Sequence, residues 1–361
     1  MSQSNAMRDI RDVNAMNTRS IAVLNDKLAS VPSRLKPIRL VDTKTLTRDA
    51  WLSVRQQGIG SSDAGAAVGL NPYKSALELW LEKSGKLTQP AACAEGEDQS
   101  PLYWGTVLES VVADHYARKT GRKVRRVNAV LQHAQHPWML ANVDRQIVGD
   151  ESVQLLECKT AGMYNAKQWR EGVPEYVQLQ VQHQLAVTGY QAADVAVLIG
   201  GNDFKIYRLE RDEALIEQLI LLEAQFWQSM IDGVAPSADG SDSAHRALGL
   251  LFPSDAGTVL DWQEHEVMNT RFNKLARVRD ELAQLEKQEA LLRQSIQQAM
   301  GDASKAVFAK GEVSWKRSLD GLVFDKKRFE QEQPDFYAYY QVAKAGVRRF
   351  VMNVHQSVTG A

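Results

Sequence analysis

Between residues 141 and 160 the chain reads Ala141-Asn142-Val143-Asp144, a gap through Gly149-Asp150-Glu151-Ser152, and then Leu155-Leu156-Glu157-Cys158-Lys159-Thr160. The spacing predicts an acid on one strand and, across a turn, a second strand carrying Glu-x-Lys. Strand residues two apart share a face, so Glu157 and Lys159 point the same way and Cys158 faces the core. Two carboxylates converging beside an ammonium suit phosphodiester hydrolysis. The acids hold Mg²⁺, which takes oxygen ligands and polarises phosphate, while the lysine steadies the attacking oxygen or the developing charge.

Other elements must frame these residues. From Arg55, the stretch Gly58-Ile59-Gly60-Ser61-Ser62-Asp63 leads into a helix-compatible run over 64–70. Ser61 or Ser62 is placed to cap that helix, and the same hydroxyls and free amides, with Arg55 nearby, suit a phosphate. A second helix over 76–83 reads as packing. A third is expected from Tyr103 to about Lys119, with Val107, Leu108, Val111, Val112 and Tyr116 as its apolar face. Glu109 sits at an edge of that stripe, either as a surface charge or as an inward acid needing a partner such as a metal. The basic residues Arg118, Lys119, Arg122, Lys123, Arg125 and Arg126 follow, a solvated face or a clamp on a DNA backbone. His133 and His136 lie in a turn with no cysteine or third histidine nearby and read as surface residues rather than zinc ligands.

Strands are expected over 124–132, 138–148 and 153–160, then a helix over 175–188. In it Gln180 and Gln184, four apart, share a face that either meets the reacting phosphate or a metal-bound water, or is merely solvated. A hairpin, 193–200 with 204–209, closes the sheet. A helix over 213–231 packs across it through Leu215, Leu219, Leu222, Phe226 and Met230.

At 361 residues the chain should hold a main domain plus appendages. With 43 Lys and Arg against 44 Asp and Glu, the net charge is -1, so any DNA-binding surface must be local. The two cysteines, Cys93 and Cys158, argue against a disulfide framework and exclude a four-cysteine iron–sulfur cluster. No apolar run approaches the roughly 18–20 residues that span a bilayer, and the polar start lacks a signal-peptide core, so a soluble, cytoplasmic, membrane-free protein is expected. The expected segments are an arm over 1–48, with an amphipathic piece near 21–35 and an extra DNA contact through Arg34, Lys36 and Arg39; a main domain over 49–233; and a linker over 234–261. A coiled coil or helical hairpin over 262–301 and a small α/β unit over 302–361 complete the chain. In the last unit a helix is expected over 325–340 and a strand near 349–351. Basic and aromatic residues alternate there, either to contact nucleic acid or as the rim of a small core.

Together, Gly58-Ile-Gly-Ser-Ser62-Asp-Ala, Trp104-Gly-Thr-Val-Leu-Glu109, Ala141-Asn-Val-Asp144, Leu156-Glu157-Cys-Lys159 and Leu179-Gln180-Val-Gln182 resemble the YqaJ-type viral recombinase family, relatives of phage lambda exonuclease in the PD-(D/E)xK nuclease superfamily. The resemblance covers roughly residues 48–232. It implies a restriction-endonuclease-like α/β core, a mixed central sheet flanked by helices. It also implies Mg²⁺, or Mn²⁺ in its place, on Glu109, Asp144, Glu157 and the backbone carbonyl of Cys158; Lys159 as the catalytic lysine; and Gln180 as the orienting glutamine. Arg55, with Ser61 and Ser62, would hold a 5′-phosphate. The family's activity is 5′→3′ digestion of duplex DNA, leaving 3′ single strands for an annealing partner in a bacterial or phage-infected cell. Better-known members form rings, so a trimer or tetramer is expected. An endonuclease or nickase of the same fold, or a non-catalytic DNA-binding scaffold, is the alternative. One departure stands out: superfamily helices often carry Gln-x-x-x-Tyr, and position 184 is Gln.

Overall fold

A computed structural model describes residues 36–86, 101–344 and 346–354. The expected features at 21–35 and Arg34, most of the predicted arm, and residues 87–100, which include Cys93, lie outside these residues. The chain divides into two compact units, Met1–Leu251 and Phe252–Ala361.

The first unit is an α/β core with two sheets. One has the order β1 (Ile38–Asp42), β4 (Ala129–Gln132), β5 (Met139–Ala141), β2 (Ile59–Gly60). The other runs β3 (Lys123–Arg126), β6 (Arg145–Val148), β7 (Leu155–Ala161), β8 (Ala192–Ile199), β9 (Asp203–Glu210). In the five-stranded sheet β7 and β8 are parallel and the remaining pairs antiparallel, so it is mixed. Two expected strands are each split. Residues 124–132 divide into β3 and β4, and 138–148 into β5 and β6, with the halves in different sheets. Residues 142–144 are thus the crossing between sheets, and Asp144 stands at a bend rather than within a strand. The predicted arm is also shortened, because β1 pairs with β4 from Ile38 onward. Arg39, read as a DNA contact, is bonded to Asp42 and to the carbonyl of Asn128.

Helices cover both faces of the five-stranded sheet, and strand alternation decides which residues each receives. Leu155, Ala193, Val195, Val197 and Ile199 pack with Val177, Val181 and Leu185 of α5 (Glu175–Thr188). Leu156, Cys158, Ala192 and Ala196 turn the other way, onto Val112, Ala113 and Tyr116 of α4 (Pro101–Thr120). The expected apolar face of α4 was one step off: Val107 and Val111 are exposed, and Ala113 takes their place in the core. A third cluster joins α2 (Ala64–Ala67), α3 (Ala76–Lys83), α6 (Glu213–Ile231) and α7 (Asp242–Leu251). Helix α6 packs on α5, α2 and α3 as well as on the hairpin. Helix α7 fills part of the supposed linker: Ser243 is buried and bonds Ser75 at the start of α3, which extends this unit beyond residue 233.

In the second unit residues 266–300 form one continuous helix, α8 (Glu266–Met300), and not a hairpin of two. An antiparallel hairpin, β10 (Lys305–Phe308) and β11 (Gly311–Ser314), follows. The helix predicted over 325–340 breaks into α9 (Lys326–Glu332) and α10 (Pro334–Tyr339), because Pro334 lacks the N–H that would continue the ladder. Residues 349–351 form no strand.

Candidate active site

The site gathers around the middle of β7. The β6–β7 ladder pairs Arg145 with Leu156, and one step further along that register Asp144 stands opposite Glu157. The backbone N–H of Cys158 donates to Asp144 Oδ2 at 2.8 Å, which fastens the first acid to the strand bearing the second. Glu157 and Lys159 lie on the α5 side, as the alternation requires, and the lysine Nζ is 2.7 Å from Glu157 Oε1. Cys158 faces α4 instead. Burial, followed by the nearby carboxylates, pushes its thiol up, so it remains an inert core residue.

Helix α5 supplies the rest. Its residues 179–188 are all buried, so its polar side chains require internal partners. The amide of Gln180 donates to Glu157 Oε1 at 2.5 Å, and its oxygen accepts from Lys159 at 2.9 Å. Gln184, one turn on, donates to Glu157 Oε2 at 2.8 Å. The shared Gln180/Gln184 face is therefore not solvated. It grips both oxygens of one carboxylate, and at position 184 a second amide stands where superfamily helices often place a tyrosine.

Glu109 reaches the same neighbourhood from α4 but is held by Arg145, which also donates to the Asp144 carbonyl. Among the described residues, no group of three His, Cys, Asp or Glu side chains is gathered to hold a metal ion. The electrostatics nevertheless suit a cation. Burial, followed by the charges of Glu157 and Glu109, raises the Asp144 carboxyl well above the usual range, and the Cys158 amide and Lys159 only partly offset this. For Lys159, burial works against the ammonium, but the adjacent Glu157 outweighs it, so its pKa is raised. Two carboxylates with oxygen chemistry, a third close enough to perturb them, and an excess of negative charge fit a hard divalent ion.

A second cluster forms where α1 (Arg48–Gln56) ends and β2 begins. Arg55 Nη2 donates to Ser62 Oγ at 2.9 Å and to Asp63 Oδ2 at 3.2 Å, with its guanidinium 4.8 Å from the Trp51 ring centroid. Ser61 is buried in the 3-10 turn that begins α2, while Ser62 is exposed. Lys83, absent from the sequence reading, bonds Asp63 at 2.7 Å.

The basic run is not uniform. Arg122 is tied to Asp150 and the buried Asp194, which makes it structural, and Arg125 bonds Gln146. Lys119 lies over Phe204. Arg118, Lys123 and Arg126 remain on the surface. His133 and His136 are half-buried rather than superficial: the rings stack at 4.7 Å, and His133 Nδ1 accepts two backbone N–H groups of its turn. Burial lowers the pKa of both, that of His133 to about 4. Lys83 and Arg145 escaped the sequence reading for one reason: each owes its role to a partner distant in the chain. No described helix is long and apolar enough to cross a membrane.

Residues 50–191 match the family model described as the YqaJ-like viral recombinase domain. Over 303 residues, 82% of this chain and 92% of the relative, the sequence is 36% identical to the uncharacterized protein YqaJ of Bacillus subtilis (strain 168). A 76-residue stretch, 20% of this chain, is 36% identical to 19% of a protein of African swine fever virus (strain Badajoz 1971 Vero-adapted). Among solved structures, the alkaline exonuclease LHK-Exo from Laribacter hongkongensis aligns with a TM-score of 0.42 at 20% identity, covering 51% of this chain and 93% of that one. Identity at this level along nearly the whole Bacillus protein, together with the family match across the stretch that builds the site, places the chain in the YqaJ-like viral recombinase family.

Proposed function

We propose that the chain is a metal-dependent deoxyribonuclease that digests linear duplex DNA from its 5′ ends and leaves 3′ single strands for an annealing partner, working as a ring-forming homo-oligomer in the cytoplasm. One observation carries the reading: Asp144, Glu157, Lys159 and Gln180 converge at the middle of β7, with both oxygens of Glu157 and the lysine held in one hydrogen-bonded unit. A buried, mutually repelling carboxylate pair stabilises a fold poorly, and its chemistry calls for a cation.

Mg²⁺, or Mn²⁺ in its place, would be held by Asp144, Glu157 and the Cys158 carbonyl, with Glu109, now paired to Arg145, as the third acid. Bound there, the ion supplies Lewis-acid polarisation of the scissile phosphate. The remaining work belongs to the chain itself. Gln180 bridges Glu157 and Lys159 and so fixes the ammonium in position. Because Lys159 stays protonated, it acts by stabilising charge on the phosphate oxygens and not as a base. Arg55 and Ser62 receive the terminal phosphate, which favours an end over an interior position. Of the basic run, Arg118, Lys123 and Arg126 are the surface residues that would touch the DNA backbone.

Digestion with Mg²⁺ of 5′-phosphorylated, 5′-hydroxyl, nicked and covalently closed duplexes tests this. Linear substrates should be consumed, the phosphorylated ones fastest. Cutting of closed circles would overturn end dependence and support an endonuclease, and undiminished activity in Lys159→Ala would overturn the site.

A further inference from the structure

The Arg55 cluster contains a residue that no motif assigns. Lys83 is the last residue of α3, and its side chain is 6% exposed. Its ammonium has two partners: Asp63 Oδ2 at 2.7 Å and the backbone carbonyl of Arg55 at 2.8 Å. Asp63, also nearly fully buried, accepts from Lys83, from Arg55 Nη2 at 3.2 Å and from the Gly60 N–H at 3.3 Å. The guanidinium alone reaches outward, at 26% exposure, carrying Ser62 with it.

Charge decides what this arrangement does. An arginine beside a lone carboxylate is a neutralised pair with little left for an incoming anion. Adding the Lys83 ammonium leaves the three-residue cluster at +1, and burial confines that surplus to the one side chain that meets solvent. The Arg55 carbonyl contact also pins the final turn of α1, from which the guanidinium projects. The packing is close enough to dictate the neighbouring residue: a Cβ at Gly60 would lie 3.2 Å from both Arg55 Nη2 and Asp63 Oδ2.

We infer that Lys83 is a positioning residue of the end-phosphate pocket: it shares Asp63 with Arg55 and anchors the Arg55 backbone, so that the guanidinium keeps positive charge to offer a terminal phosphomonoester. The inference rests on the reading of Arg55 and Ser62 given above and names what sets that pocket's preference. A terminal phosphate carries about two charges near neutrality and an internal diester one, so a cationic pocket favours the end.

The test is binding of fluorescent duplexes with 5′-phosphate or 5′-hydroxyl termini, in EDTA so that no strand is cut, by the full chain and by Lys83→Met and Lys83→Gln. The wild-type protein should prefer the phosphorylated end. Lys83→Met should lose about tenfold of that ratio, as removal of a charge-assisted contact predicts. Lys83→Gln keeps an N–H donor for Asp63 and the Arg55 carbonyl and should fall between; if Lys83→Met does not fold, Lys83→Gln decides alone. A wild-type ratio near one would overturn the pocket reading and this inference together. A normal wild-type ratio that both folded variants retain would overturn the role of Lys83 only.

Discussion

Asp144 is costly to the fold and, in the proposed reaction, necessary to the chemistry, and these two roles can be separated. Its carboxyl pKa is raised by burial and by Glu157 and Glu109. A raised carboxyl pKa contributes stability below its unfolded value, near 4, and that contribution is lost as pH climbs through the folded value. At neutral pH without metal, the Asp144 carboxyl therefore withholds stability that it gives at low pH. Asp144→Asn should raise the metal-free melting temperature by a few degrees, on the order of 1 kcal/mol, while abolishing DNA digestion. Mg²⁺ should raise the melting temperature of the wild-type protein and not that of the variant. Lys159→Ala should lower kcat by about 10²–10³, the usual loss when one charge-stabilising group is removed. Asp144, Glu157, Lys159 and Gln180 were legible because strand alternation and helix spacing are local. Arg145 was not: it follows Asp144 directly, but its grip on Glu109 spans 36 positions, and nothing nearby announces it.

Helix α5 shows why element-level reading succeeded for extent and failed for environment. Its bounds follow from Pro174 before it and Gly189 after it, the latter in a left-handed conformation at φ 72°. Its polar sequence left its glutamine face either at the reacting phosphate or solvated; the helix is enclosed, and His183 meets a carboxylate and a carbonyl inside: Nδ1 lies 2.7 Å from Glu223 on α6 and Nε2 3.0 Å from the Leu140 carbonyl. Burial disfavours the imidazolium, but Glu223 and the Leu140 carbonyl outweigh it, and the His183 pKa is raised. A raised histidine pKa gives stability that is complete below the unfolded value, near 6.5, and lost as pH rises through the folded one. Thermal melting followed against pH should thus decline on the alkaline side. His183→Gln should flatten the decline and cost about 3–5 kcal/mol, since it leaves Glu223 buried without its charged partner. Adding Glu223→Gln to that variant should restore much of the loss. The splitting of β3 from β4 was equally hidden, because Val127-Asn128 carries neither glycine nor proline to mark a change of sheet.

At the scale of the molecule, both the proposed catalytic cluster and the proposed phosphate-holding cluster lie in the unit that ends at Leu251. A chain stopped there should unfold cooperatively and keep its DNA digestion. If digestion disappears, the second unit belongs to the machinery. On α8, Leu282, Leu285 and Leu292 are 53%, 60% and 68% exposed, a stripe suited to pairing with another copy. Sedimentation should therefore show the shortened chain at lower subunit number than the full one. The sequence left open a coiled coil or a helical hairpin over 262–301, because whether the segment would double back depended on a turn that no residue there announces. Strand β7 has a further implication for insertions and deletions. It presents Glu157 and Lys159 to one side and Cys158 to the other, and pairs in parallel with β8 through all seven residues, Leu155 to Ala161. A single residue added within the strand would exchange the thiol for the acid and disable the enzyme outright, whereas the same addition at Gly149–Ser152 would be absorbed by the turn; natural length variation should collect at the second place and be missing from the first.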